Sequence, residues 1–175
     1  AKGATVLPCW CDSHTHLVFA ASREEEFVDK IKGMSYAEIA AKGGGILNSA
    51  RKLNNTAEEI LYNQAFTRLK ELIQLGTGAI EIKSGYGLSV PSEIKMLEVI
   101  EEVKHLQPVQ LLSTCLAAHV LPPEFSTTSA YLKHIVDALL PLIKERSLAT
   151  RLDIFVEKVH SLRKSLFPTF SKQKS

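Results

Sequence analysis

Apolar positions along the chain fall into two kinds of run. Residues 4–11, Thr77–Ile82, Val109–Leu116 and Arg151–Val156 are short, nearly continuous apolar stretches, the pattern of strands buried on both faces, the first of them interrupted by Pro8. Between them the apolar residues recur at helical spacing. Ile60, Leu61, Ala65, Leu69, Leu72 and Ile73 predict a helix to about Leu75, closed by Gly76. Thr56-Ala57-Glu58-Glu59 reads as its capping box. Ile94, Leu97, Val99, Ile100 and Val103 predict a second helix, opening at Pro91 and ending before Pro108. A third runs from about Ser129 to Lys144, with Pro141 kinking or ending it early. Two shorter helices are expected over 24–32 and from Ser35 or Tyr36 to Ala41, where Gly43-Gly44-Gly45 stops helical structure.

Strands that alternate with amphipathic helices indicate a parallel sheet with crossover connections. The fold class is therefore α/β, either a doubly wound sheet or a (β/α)8 TIM-type barrel. Polar residues collect after the strands: His14 and His16, then Lys83 and Tyr86, then His119, then Glu157. A metal-binding His-x-His after the first strand favours the barrel. Four strands make a partial one, about the first half of eight.

In a strand, residues two apart share a face, so His14 and His16 can turn both imidazoles to one point. Two readings stay open on the residues alone: two ligands of a divalent metal, or a histidine pair that binds nothing. Gly43-Gly44-Gly45 can wrap a ligand or simply end a helix, and with no Lys-Ser/Thr after it this is not a phosphate loop.

Composition narrows the class. The chain has 175 residues, 45% hydrophobic and 23% charged, which suits one globular domain. A net charge of +2 is too mild to argue for nucleic acid or an anionic membrane. No apolar stretch approaches the roughly 20 residues of a spanning helix, and residues 1–5 lack the apolar core of a signal peptide, so a cytoplasmic location is the expectation. Three cysteines, Cys9, Cys11 and Cys115, make no disulfide framework. Cys9 and Cys11 beside two histidines could suggest a zinc site, but the second cysteine pair of a structural site is absent, and buried, reduced thiols in strands are the favoured expectation.

Several segments together resemble one family. They are Asp12-Ser13-His14-Thr15-His16-Leu17-Val18-Phe19, Ser22-Arg23-Glu24, Tyr36-x-Glu38-Ile39 and Gly43-Gly44-Gly45-Ile46. They continue with Glu81-Ile82-Lys83-Ser84-Gly85-Tyr86-Gly87-Leu88, Glu93-x-Lys95-Met96-Leu97, Ala118-His119 before Pro122-Pro123-Glu124, and Asp153-Ile154-Phe155-Val156-Glu157. This set is similar to imidazolonepropionase, a metal-dependent hydrolase of the amidohydrolase superfamily, over about residues 5–158. His-x-His alone identifies only the superfamily; the Lys-Ser-Gly-Tyr-Gly loop is far more specific.

The resemblance implies an enzyme of histidine degradation that hydrolyses the ring amide of 4-imidazolone-5-propanoate to N-formimidoyl-L-glutamate. It implies one bound zinc or iron ion, with His14 and His16 as the first two metal ligands. It places Arg23 on the substrate's propanoate, a role suited to a guanidinium fork. Tyr86 and His119 match positions that contact the substrate ring or product, and Tyr36 and Lys83 lie in matching motifs. The partner implied is a small-molecule substrate, with no nucleic acid and no membrane, and a homodimer is compatible. His105, His134 and His160 match nothing and are expected at the surface. Cys9, Cys11, Ala21 and Ala117 depart from the family's usual residues by small or moderate changes in size.

The family's later strands supply another metal-binding histidine and an aspartate that acts as general base; neither is found here, so no catalytic residue is assigned within this chain. The domain reading is accordingly 1–158 as the N-terminal half of a hydrolase barrel and 159–175 as a non-family tail. Read two bases later, a back-translation of that tail can encode a family-like continuation, which suggests a frameshift near Val159. Two functions follow: a part of an imidazolonepropionase that is inactive alone, or a non-catalytic fragment or pseudogene product. Another cyclic-amide amidohydrolase is the third.

Overall fold

The computed structural model describes residues 2–105 and 108–156, without the side chains of Tyr36, Ala37 and Ala40. The tail reading over 159–175, with Glu157 and His160, lies outside the described residues. Chain order is β1 (Trp10–Thr15), α1 (Glu24–Ile31), α2 (Tyr36–Ala41), α3 (Ile46–Asn54), α4 (Glu58–Gln74), β2 (Thr77–Lys83), α5 (Val90–His105), β3 (Gln110–Ala118), α6 (Thr128–His134), α7 (Leu140–Arg146) and β4 (Arg151–Ile154).

All three strand pairings are parallel and the spatial order is β1-β2-β3-β4. A doubly wound sheet reverses its strand order at a switch point, whereas a barrel adds strands in sequence. The observed order is a barrel's. Period-two alternation gives the sheet two unlike faces. Ile80, Ile82, Leu111, Cys115 and Ala117 join the core with Leu61, Ala65 and Leu69 of α4 and Leu97 and Ile100 of α5. Glu81, Lys83, Thr114 and Asp153 bond to one another on the other face. Helices therefore pack on the apolar face, and the polar face is the concave side of the sheet, where a site can form.

The first strand differs from its expected span of 4–11. Pro8 has no N–H to give a ladder, and pairing starts where the Trp10 N–H donates to the Gly76 carbonyl at 2.9 Å. Asp12 and Thr15 then pair with Ile80 and Ile82, so His14 lies within β1 and His16 just beyond it. Cys9 and Cys11 are exposed rather than buried, because this strand stands at the sheet's edge among the described residues; Cys115 is buried as expected. Arg68 of α4 fastens the chain as it leaves β1. Its guanidinium donates to the Leu17 and Phe19 carbonyls at 2.8 and 3.0 Å and stacks 3.4 Å over the Phe19 ring.

Two helix ends also correct the sequence reading. The expected capping box at Thr56 does not form: Ala57 is the N-cap, and the Thr56 hydroxyl donates back to the Lys52 carbonyl at 2.8 Å. The reason is a helix, α3, that the sequence reading did not separate from the Gly43–Gly45 stop. Its end at Asn54 leaves carbonyls in need of donors. Thr56 serves one, and Lys95 Nζ serves Leu53 at 3.0 Å. A capping box does form at the start of α2, where the Glu38 carboxylate accepts the Ser35 N–H at 2.7 Å and Ser35 Oγ accepts the Glu38 N–H at 3.3 Å. Farther on, the helix expected from Ser129 is split. A π-helical turn over Ile135–Leu139 joins α6 to α7, just before Pro141, whose ring nitrogen cannot complete an ordinary helical bond.

Candidate functional site

Four of the five predicted site residues meet in one stack at the C-terminal ends of β1, β2 and β3. The His14 and His16 rings lie 5.5 Å apart, edge to face. His16 stacks on Tyr86 at 4.8 Å and on His119 at 5.4 Å, and Tyr86 and His119 lie 5.7 Å apart. Phe155, just beyond β4, closes the stack edge-on to His119 at 5.6 Å. Residues separated by a hundred positions are gathered because each strand delivers its loop to the same end of the sheet.

His14 is exposed and His16 half-buried. Burial pushes the His16 pKa down to about 4, and the neighbouring His119 and His14 reinforce it against the opposing Lys83 main chain. The ring is therefore neutral at pH 7. Its Nδ1 is buried and makes no hydrogen bond. A buried ring-nitrogen lone pair without a partner is the kind of group that a bound cation satisfies. Imidazole nitrogens suit zinc or iron, and the site fits such an ion as part of a donor set. Among the described residues, no group of three or more His, Cys, Asp or Glu side chains is arranged to hold a metal.

Burial likewise lowers the His119 pKa, with a hydrogen bond from Nδ1 to the Gly85 carbonyl at 3.0 Å pulling the other way. Tyr86 is half-buried, and its phenol is raised by burial. Arg23 is the fifth predicted residue. It sits at the start of α1, close enough for its charge to act on both Tyr86 and His119. Its guanidinium meets the Glu26 carboxylate at 2.7 Å, and the other oxygen of Glu26 accepts the Gly45 N–H at 2.9 Å. Burial of Glu26 works against its charge, but these bonds win and hold its carboxyl below the usual range. The triple-glycine turn thus orients Arg23 through Glu26. Gly44 is confined there, since a Cβ would stand 2.9 Å from the Ile39 carbonyl.

Beneath the stack lies a charged network that sequence reasoning left largely unassigned. Lys83 Nζ donates to Asp153 at 2.6 Å and lies 3.3 Å from Glu81, while the Thr114 hydroxyl donates to the other Glu81 oxygen at 2.5 Å. Burial acts to lower the Lys83 pKa, yet the two carboxylates outweigh it and raise it. The Lys83 ammonium in turn holds Asp153 below the usual carboxylate range. The signal was period-two alternation of charge inside β2, Glu81 and Lys83 flanking Ile82. Of the histidines outside the pattern, His105 and His134 are exposed, as expected.

Known proteins share this arrangement of segments. No family model matches the chain. It is 55% identical over 158 residues to the imidazolonepropionase of Flavobacterium psychrophilum, a match covering 90% of this chain and 38% of that protein. The imidazolonepropionases of Flavobacterium johnsoniae and Christiangramia forsetii are 52% and 50% identical, each covering 90% of the chain and 38% and 39% of the relative. The chain thus spans under two fifths of the length of the curated relatives it matches.

Proposed function

Taking the chain as a member of the imidazolonepropionase family over the part that it spans, we propose that it forms one side of a site that hydrolyses the ring amide of 4-imidazolone-5-propanoate to N-formimidoyl-L-glutamate. The observation that carries this reading is the stack itself: His14, His16, Tyr86 and His119, drawn from three strand ends, converge within 6 Å ring spacings. Zinc or iron would be held by His14 and His16. When bound, such an ion lowers the pKa of a coordinated water and polarises the ring carbonyl.

The chain's own residues bind and orient. Arg23, aimed by Glu26, meets the propanoate of the substrate through a planar fork matched to a carboxylate. Tyr86 and His119 present parallel ring faces, 20° apart, against which a flat imidazolone ring can lie. Gly85's carbonyl only accepts, so His119 Nδ1 carries the proton and Nε2 keeps a lone pair for a substrate N–H. The stack, with Phe155 beside it, shields that ring from water. The general base is assigned to none of these groups. A small-molecule substrate is the partner implied, and no helix among the described residues is long and apolar enough to cross a membrane.

The test is turnover of imidazolone propionate by the purified 175-residue chain with added zinc or iron. With two imidazoles and, among the described residues, no third metal-binding side chain grouped with them, no turnover is expected from the chain alone. Activity is expected when the remainder of a full-length relative is supplied. Robust turnover by the chain alone, or none with the complement folded in place, contradicts the proposal.

A further inference from the structure

Glu93 has no part in the chemistry above, yet it is the most completely enclosed charged side chain of the site's surroundings, 1% exposed. It stands in the first turn of α5 and faces the loop after β2. Its Oε1 accepts the Gly87 N–H at 2.7 Å and the Leu88 N–H at 3.0 Å, and its Oε2 accepts the Gly85 N–H at 3.0 Å. The Ser84 hydroxyl accepts the Leu116 N–H at 3.1 Å, joining the loop to β3.

The loop needs such a clamp. Gly85 has φ +109° and Leu88 φ +55°, two left-handed positions within four residues, and one of them is not a glycine. Space is as tight as the backbone. A Cβ on Gly87 would lie 2.5 Å from the Glu93 nitrogen, and one on Gly85 would lie 2.9 Å from His119 Nδ1. Between these glycines sits Tyr86, stacked on His16 and His119.

We propose that Glu93 is a positioning residue: its carboxylate fixes the Ser84–Leu88 backbone, and thereby both the place of the Tyr86 ring and the tautomer of His119. The connection to His119 is direct. Gly85 gives its N–H to Glu93 and its carbonyl to His119 Nδ1, two peptide groups that share the Gly85 Cα. Without the Glu93 bond the two torsions at Gly85 are free to change, the carbonyl is no longer aimed at His119, and His119 then exchanges its proton between ring nitrogens. The functional value of this device rests on the reading of Tyr86 and His119 as substrate contacts, but its existence is tested without turnover.

The experiment uses the full chain labelled with 15N. Long-range 1H–15N correlation reads the His119 tautomer, and hydrogen exchange reads the loop amides. In the native sequence His119 is expected in the Nδ1–H form, with the Gly85, Gly87 and Leu88 amides protected. Glu93→Gln keeps the volume but points an NH2 group at backbone donors. Those three amides should then exchange at least about tenfold faster. His119 should shift to a mixture of tautomers, while the Leu97 and Ile100 amides stay as they were. Glu93→Asp, which retains the carboxylate, should restore part of both signals. Unchanged loop exchange and an unchanged tautomer in Glu93→Gln overturn the proposal. If that variant does not fold, the native spectra decide: an Nε2–H tautomer or unprotected loop amides overturns it. An inactive complemented protein with these spectra intact would instead defeat the substrate reading alone.

Discussion

Lys83 Nζ lies 2.6 Å from Asp153 Oδ2, so the end of β2 is tied to β4 across the strand between them. The lysine side chain is 7% exposed and the aspartate 43%, which makes this pair half-screened rather than buried. Lys83→Ala leaves Glu81, 10% exposed, without its cation. The expected loss is about 1–3 kcal/mol, discounted from the fully buried case. Chemical denaturation at pH 7 measures it, and an unchanged midpoint would mean that solvent cancels the pair.

Acid should loosen the Arg23 region in a defined window. The Glu26 carboxyl is held below its ordinary value in the fold, so its contribution is fully present above about pH 4.3. It is lost as pH falls through the depressed folded value. Exchange of the Gly45 amide, which donates to Glu26, is expected to speed up across that acid range. In Glu26→Gln the acid-dependent part of that change should disappear. A Gly45 amide insensitive to both acid and substitution would refute the link.

Gly85→Ala should be among the more damaging small substitutions in the chain. Its φ of +109° disfavours any Cβ, and that atom would also meet the Leu116 carbonyl at 2.8 Å. A cost of about 2–4 kcal/mol is expected from strain and overlap together. Thermal unfolding of the variant checks it; a shift no larger than that of a surface substitution would show that the loop relaxes freely.

Much of this was legible in the sequence, for physical reasons that differ by element. Leu61, Ala65 and Leu69 lie on one face of α4 because a helix repeats every 3.6 residues, and burial followed that face. The parallel sheet was legible from β3, where nearly every residue is apolar or small. What failed was competition between neighbours. Thr56 could cap its own helix or the end of α3, and only the folded position of Lys95 and Asn54 decides. The strand order, which settles the barrel against the doubly wound sheet, is a long-range property that no local pattern records. His14 and His16 were marked by their two-residue spacing in a strand, while the roles of Arg23, Tyr86 and His119 came from motif resemblance. Their convergence, and the Glu93 and Lys83 frameworks beneath them, come from tertiary structure.

Arg23→Lys should separate binding from chemistry. A lysine keeps the charge but cannot present two parallel N–H groups to a carboxylate. In a full-length relative carrying residues 5–156 of this chain, KM for imidazolone propionate should rise about ten- to a hundredfold, from the loss of about 1.5–3 kcal/mol of charge-assisted bonding. The turnover number should change far less. A reversed pattern would place Arg23 in the reaction itself.

That same chimera provides the most direct measurement of the central claim. Its rate of imidazolone propionate hydrolysis, with zinc or iron supplied, is expected to stay within about tenfold of the parent relative, a difference of about 1.4 kcal/mol in barrier. His14→Ala with His16→Ala is expected to abolish both turnover and bound metal. A folded chimera that hydrolyses nothing, or one that keeps its metal and its rate without the two histidines, would contradict the account.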